Sequence, residues 1–214
     1  MGNLVAEENA VEGLSDMEIQ YYRYLHSFGN GIREPRWRGT RVVKFPNDLI
    51  LYAQVIFKRT PDFIIETGTH FGGSALFLGD MLQLIGGKKV ITIDVSHKLN
   101  PPKHPMVEHI LGSSIDPEIV ERIRREVAGA QVMVTLDSDH STKHVLAELS
   151  AYQDIVSVGQ YMVVEDCWTR RKKPYWPWYA VREFLKENRR YRRFNLEKQF
   201  IFAVTKDGWL RRRR

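Results

Sequence analysis

The 214-residue chain has a single cysteine, Cys167, which excludes an internal disulfide framework and makes a reducing, cytoplasmic setting the expectation. It has no apolar run near the roughly 20 residues that would cross a bilayer. Residues 1–13 are polar and acidic and lack the basic-then-apolar layout of a secretory leader. Zinc spacing is also missing: Cys167 has no second thiol, and His140 and His144 are not part of an H-E-x-x-H pattern. No internal repeat or low-complexity linker interrupts the chain, and its length suits one α/β domain with additions.

The chain does have a formal charge of +6, gathered in Arg170-Arg171-Lys172-Lys173, Arg189-Arg190 with Arg192-Arg193, and Arg211 to Arg214. Such clusters can attract nucleic acid or an anionic surface. No RNA-binding signature accompanies them, so a solvated face and a frayed tail are the expected form.

The most informative segment is Ile64-Ile65-Glu66-Thr67-Gly68-Thr69-His70-Phe71-Gly72-Gly73-Ser74-Ala75. It reads as a strand buried on both faces, a glycine turn and a helix start, where free N–H groups face a ligand. The spacing departs from the dinucleotide G-x-G-x-x-G, and the acid at the strand end, Glu66, suits a cationic ligand better than a pyrophosphate.

Upstream, Ser15-Asp16-Met17-Glu18 has capping-box form and opens a helix through about Leu25. An irregular basic and aromatic stretch, 29–45, leads to a second helix, 49–57, that starts at Pro46-Asn47-Asp48. From Pro61 onward strands alternate with helices, which predicts a doubly wound, mostly parallel α/β sheet with right-handed crossovers. The expected strands are 63–66, 90–94, 107–111, 132–136 and 161–164, followed by two more near 193–197 and 200–205. The expected helices are 74–85, a helix to 127 capped by Asp116-Pro117, 142–152 and 178–188. Residues 1–60 form an N-terminal extension on this reading, and 61–214 the core, with 167–178 a loop that caps the substrate.

Acids close four of the strands: Glu66, Asp94, Asp137 with Asp139, and Glu165 with Asp166. Ligands of an open parallel sheet bind beyond the carboxyl ends of its strands, so these residues should converge in one crevice. Each alone has an ordinary role as a cap or turn former. Asp94 occupies the place where a carboxylate accepts hydrogen bonds from ribose hydroxyls, and Glu66 with the Gly68 turn faces the charged end of the same ligand. Asp137, Glu165 and Asp166 offer hard oxygen donors, the type that holds Mg2+.

The segments Glu66 to Ser74, Gly112-Ser113-Ser114, Leu136 to Ser141 and Val164-Glu165-Asp166 together resemble the cephalosporin hydroxylase family, which includes rhamnosyl O-methyltransferases. The resemblance spans roughly Trp37 to the C-terminus and implies a Rossmann-like class I methyltransferase that uses S-adenosylmethionine and Mg2+. It implies a cofactor held around Glu66, Gly68, Thr69, Gly72, Ser74, Asp94 and Asp137, with Ser114 near the adenine, and a metal held by Asp137, Glu165 and Asp166. It further implies Asp139 as general base; His140, with an ordinary pKa of about 6.5, is the competitor.

The expected activity is therefore Mg2+-assisted methylation of a hydroxyl on a sugar or glycosylated natural product, by a self-associating enzyme that needs no nucleic acid. Trp168, Tyr175, Trp176 and Trp178 among the basic residues of loop 167–178 could stack on the acceptor or belong to the core. Two rivals remain: an RNA-directed methyltransferase, which the basic clusters suggest, and a cofactor-binding partner subunit of a hydroxylase system. Salt-sensitive RNA binding would mark the first.

Overall fold

The computed structural model describes residues 15–20, 35–96, 100–168 and 176–214. Ser15 and Glu18 form the expected capping box, with the Ser15 N–H donating to Glu18 Oε2 at 2.7 Å, and residues 16–20 are helical. The rest of that expected helix lies outside the described residues.

Within the stretch expected to be irregular, a small hairpin pairs β1 (Arg36–Trp37) with β2 (Thr40–Arg41). Its two central residues, Arg38 and Gly39, both have positive φ, 48° and 82°, the backbone of a tight hairpin turn. Helix α1 (Pro46–Arg59) follows, with proline in its first turn and Lys58 and Arg59 in its last, where cations suit the helix dipole.

The expected strand and helix alternation is present. It runs β3 (Phe63–Thr67), α2 (Gly73–Leu84), β4 (Lys89–Asp94), β5 (Val107–Leu111), α3 (Pro117–Glu126) and β6 (Val132–Leu136). Then come α4 (Thr142–Tyr152), β7 (Tyr161–Val164), α5 (Pro177–Glu187), β8 (Tyr191–Arg193) and β9 (Trp209–Arg212). The seven-stranded sheet has the order β5-β4-β3-β6-β7-β9-β8. Strands β3 to β7 are parallel to one another, while β9 is antiparallel to both β7 and β8.

Period-two alternation divides the core between the two faces. Phe63 and Ile65 of β3 join Ile123, Val145, Leu149 and Phe184 on the α3, α4 and α5 side. Ile64 joins Leu51, Tyr52, Phe77 and Leu78 on the α1 and α2 side. Each such apolar side chain stabilises the fold by about 1.5–3 kcal/mol, so a helix packed on each face is what a strand with no polar face requires.

The last part of the sheet corrects the expected layout. Residues 200–205 are not a strand, and the final strand is β9. The backbone that would pair in a ladder is taken by side chains instead. Buried Asp48 accepts from the N–H groups of Val204 and Thr205, both at 3.1 Å, and Asn47 donates to the Phe202 carbonyl at 2.7 Å. The C-terminal arginines are not frayed either: Arg211 and Arg212 lie in β9, and Arg212 donates to the Val156 carbonyl at 2.6 Å. Among the described residues no helix is long and apolar enough to cross a membrane.

Candidate active site

Because β3, β4, β6 and β7 are parallel and in register, with Thr67 opposite Ile93 and Leu136, and Leu136 opposite Val164, their carboxyl ends meet on one edge. A cleft of about 540 Å3 opens there. Gly68, Thr69, Ser74, Asp94, Ser114, Asp137, Asp139, His140 and Asp166 line it, bringing together residues from five separate segments of the chain. Glu66, Gly72 and Glu165 do not line it.

The glycine turn explains its own composition. At Gly68, φ is 86° and a β-carbon would lie 2.0 Å from the Asp137 carbonyl oxygen, so the β3 and β6 turns approach only because there is no side chain. Gly72, with φ of 76°, caps α2 and packs against Pro101 and Pro102, a structural place behind the cleft. Asp94 organises the turn. Its Oδ2 accepts from the N–H groups of Thr69 and His70, each at 2.9 Å, and its Oδ1 from Ser96 N–H at 2.9 Å.

Glu66 is fully buried below the turn, and its Oε2 accepts from Thr92 Oγ1 at 2.7 Å. Oε1 has no partner of hydrogen-bond geometry among the described residues, although the Ser74 hydroxyl is close enough to draw the pKa down. Burial outweighs that pull and the Lys44 charge, and the Glu66 carboxyl is pushed up to about 7.

The opposite flank is held by charge. Asp137, His140 and Asp166 each offer one donor atom within 4.8 Å of the others. His140 Nε2 lies 3.2 Å from Asp137 Oδ1 and 3.4 Å from Asp166 Oδ2. Desolvation alone would lower the imidazole's pKa, but the Asp137 hydrogen bond and the Asp166 charge raise it to about 9. Asp166 sits in left-handed backbone, φ 53°, which turns its carboxylate toward the cleft as β7 ends.

Glu165, expected beside these as a metal ligand, points into the core, where it is 1% exposed. Its Oε1 accepts from the Tyr52 hydroxyl and lies 2.8 Å from Lys44 Nζ. The same ammonium lies 2.8 Å from Asp137 Oδ2, so Lys44 bridges the two acids. Burial would strip the proton from Lys44, but Asp137 and Glu165 together raise its pKa well above the usual value. Burial also raises the Glu165 carboxyl, even beside Lys44. For Asp137 the balance is reversed: Lys44 and His140 overcome burial and hold it below its ordinary range.

The sequence analysis passed over Lys44 and Tyr52. Neither lies in a motif, and the only local cue is their place just before and within a proline-capped helix. Asp139 is exposed, and its Oδ1 accepts from the Ser141 N–H at 2.7 Å, which lowers its pKa, so part of its carboxylate serves the turn into α4. Cys167 is buried at 1% exposure with its thiol pKa raised well up by burial, an inert core position. Trp168 donates to Asp166 Oδ1 at 3.2 Å and packs edge-on against Phe202, while most of the basic loop, 169–175, lies outside the described residues.

The family described as rhamnosyl O-methyltransferase/CmcI matches residues 31–213. The rhamnosyl O-methyltransferase of Mycobacterium leprae is 38% identical over 154 residues, covering 69% of this chain and 66% of that protein. That of Mycobacterium tuberculosis H37Rv is 36% identical over 155 residues, covering 69% and 62%. The chain thus spans 62–66% of the length of these curated relatives. Among solved structures, CmcI with Mg and SAM (cmcI-D160) superposes with a TM-score of 0.65 at 20% identity, over 99% of this chain and 96% of that one. The SAH-bound Podospora anserina methyltransferase PaMTH1 gives 0.57 at 14% identity, over 98% and 93%. The fold of both is the one described above.

Proposed function

The chain belongs to the rhamnosyl O-methyltransferase/CmcI family, and from that premise we propose that it transfers a methyl group from S-adenosylmethionine to a hydroxyl of a sugar or glycosylated natural product, assisted by Mg2+. The observation that carries this reading is the meeting of Asp94, Asp137 and Asp166, from three strands, around one cleft. Rhamnosyl groups are the first acceptors to try, since the curated relatives take their name from them.

The residues present fit both groups. For the cofactor, the orphaned Glu66 Oε1 beneath the turn suits a cationic amino group, and Asp94 keeps one lone pair, on Oδ1, for a ribose hydroxyl. S-adenosylmethionine supplies a methyl group on a sulfonium. For the ion, the facing carboxylates of Asp137 and Asp166 are hard oxygen donors within 4.8 Å of each other, a spacing that a divalent cation can bridge in place of the His140 proton. A divalent cation there supplies charge that lowers the pKa of a nearby hydroxyl by several units. Glu165, turned into the core onto Lys44 and Tyr52, would join those ligands only by leaving both partners.

Hard Mg2+ favours oxygen over imidazole, so His140 Nε2 stays beside the two carboxylates; those charges hold it protonated near neutrality, with a pKa of about 9, and it would accept a proton only once a divalent cation on Asp137 and Asp166 offsets their pull. This departs from the family pattern, which points to Asp139. With S-adenosylmethionine held on the Gly68 and Asp94 side of the cleft, above Glu66, the chemistry supplied would be methyl transfer to the acceptor oxygen with the sulfur leaving as a thioether, and His140, once deprotonated, would take the hydroxyl proton. The wall of the cleft would hold donor and acceptor together. Cytoplasmic location and self-association belong to the same reading, and light scattering tests the latter.

The test is transfer of labelled methyl from S-adenosylmethionine to a panel of methyl glycosides, methyl rhamnoside included, with Mg2+ and with chelator. Transfer that chelator abolishes supports the proposal; transfer at the same rate in chelator overturns the metal part, and no cofactor binding by calorimetry overturns the whole. Within it, His140→Ala should cut kcat by about 10²–10⁴-fold while Asp139→Asn costs less than tenfold, a contrast that single-turnover rates decide.

A further inference from the structure

Behind one end of the cleft lies a buried polar cluster that the proposed chemistry does not use. Glu148 of α4 is fully buried, and its Oε1 accepts from both the Ser114 hydroxyl and the Ser138 hydroxyl, each at 2.6 Å. Its Oε2 has no partner among the described residues. One helical turn on, the Tyr152 hydroxyl donates to the Ser114 carbonyl at 2.8 Å, so α4 grips Ser114 by both side chain and backbone. His144 Nε2 lies 3.2 Å from Ser114 Oγ and 3.5 Å from Glu148 Oε1. Ser114, Ser138 and His144 all line the cleft, but Glu148 does not.

Proton accounting gives this cluster a consequence. A serine hydroxyl has one proton and two lone pairs, and a carboxylate only accepts. Both serines spend their proton on Glu148, so neither hydroxyl can donate into the cleft. The His144 Nε2 proton then lies between Ser114 Oγ and Glu148 Oε1, and at most one Ser114 lone pair is spent on it, which leaves another. We propose that Glu148 is a positioning residue that makes the Ser114 and Ser138 hydroxyls acceptor-only, so that this end of the cleft selects a ligand edge that donates, an exocyclic amine such as that of adenine, over one with a carbonyl in its place. The inference rests on the cofactor reading above and adds the group that sets base selectivity. A carbonyl there meets only lone pairs, and polar groups left unpaired in a buried site produce strong rejection.

The experiment is calorimetric binding of S-adenosylhomocysteine and S-inosylhomocysteine, which differ in the amine and carbonyl on the base, to the full chain and its variants. Wild type should favour the adenosyl compound by about tenfold or more. Glu148→Gln keeps an acceptor at Oε1 and should preserve that ratio. Glu148→Met fills the same space without an acceptor, frees both serine protons to turn toward the ligand, and should bring the ratio to within about twofold. A role in folding alone would lower the melting temperature of Glu148→Met without changing the ratio. An unchanged ratio in a folded Glu148→Met protein, or no preference in wild type, overturns the proposal. Should Glu148→Met fail to fold, Ser138→Ala reads the same quantity: the ratio falls if the proposal holds and stays if it does not. Tight adenosyl binding without discrimination sinks this inference alone, whereas binding of neither compound sinks the cofactor reading with it.

Discussion

On the β3–β5 flank of the cleft, Asp94 is satisfied by three backbone N–H groups and Glu66 by a threonine hydroxyl, all neutral dipoles. On the β6–β7 flank, Asp137, Glu165 and Asp166 face Lys44 and His140 instead. The first arrangement is preorganised and asks only for a ligand that completes its hydrogen bonds. The second gathers three carboxylates around one buried ammonium and an imidazole, and its electrostatics favour further positive charge. Two flanks built from the same residue types thus suit different guests, an adenosyl group on one side and a divalent ion on the other.

The largest expected effect lies on the charged flank. Asp137→Ala removes a carboxylate shared by Lys44 and His140 and should lower kcat by about a thousandfold, with Mg2+ binding lost in titration calorimetry. If Mg2+ still binds with wild-type affinity, the division of labour between the flanks is wrong. Lys44→Met comes next. It leaves Glu165 and Asp137 without their buried cation and should cost about 3–5 kcal/mol, read as a fall in Tm of roughly 10 °C. Added Mg2+ should recover more of that loss than it adds to wild type, because Glu165 is then released.

The neutral flank gives smaller and differently signed effects. Glu66 is pushed from its ordinary 4.5 up to about 7. Between those values the unfolded chain has lost the proton that the folded chain keeps. Its contribution to stability therefore falls as pH rises through that window, by about 3 kcal/mol in total, and is flat above it. Glu66→Gln has no such titration, so urea unfolding at pH 5 and pH 8 should show the variant gaining about 2.5 kcal/mol relative to wild type at the higher pH. A pH-independent difference would mean that the carboxyl does not titrate there. Asp94→Asn should weaken S-adenosylhomocysteine binding by about tenfold, with little change in Mg2+ affinity, since it disturbs hydrogen bonds and leaves the charged flank alone.

Much of the neutral flank was legible along the chain. The run from Phe63 to Ser74 announces strand, turn and helix through local rules, and Gly68 stands where backbone must approach backbone. Asp116-Pro117 predicts the start of α3 for the same local reason, and Asp116 does accept from the Glu118 N–H. Lys44 and Glu148 were not legible, because Lys44 acts through Asp137 and Glu148 through Ser114 as well as the nearer Ser138, and pairings across 93 and 34 residues leave no local pattern. The apolar residues of 200–205 suggested a strand, yet Asp48 and Asn47, far upstream, claim that backbone. A residue pattern has no means of recording that competition.

The sequence alone determined the alternation of strand and helix, the acids at the strand ends and, through the parallel crossovers those imply, the edge on which they gather. Its periodicities and turn residues are local, and local physics sets them. Only the tertiary structure decided which acid meets which partner: that Glu165 turns inward to Lys44 and Tyr52, that His140 sits between Asp137 and Asp166, and that Glu148 takes the protons of Ser114 and Ser138 together. Those choices depend on side-chain direction and on packing between elements far apart in the chain, where burial makes each unpaired charge costly enough to dictate its neighbour.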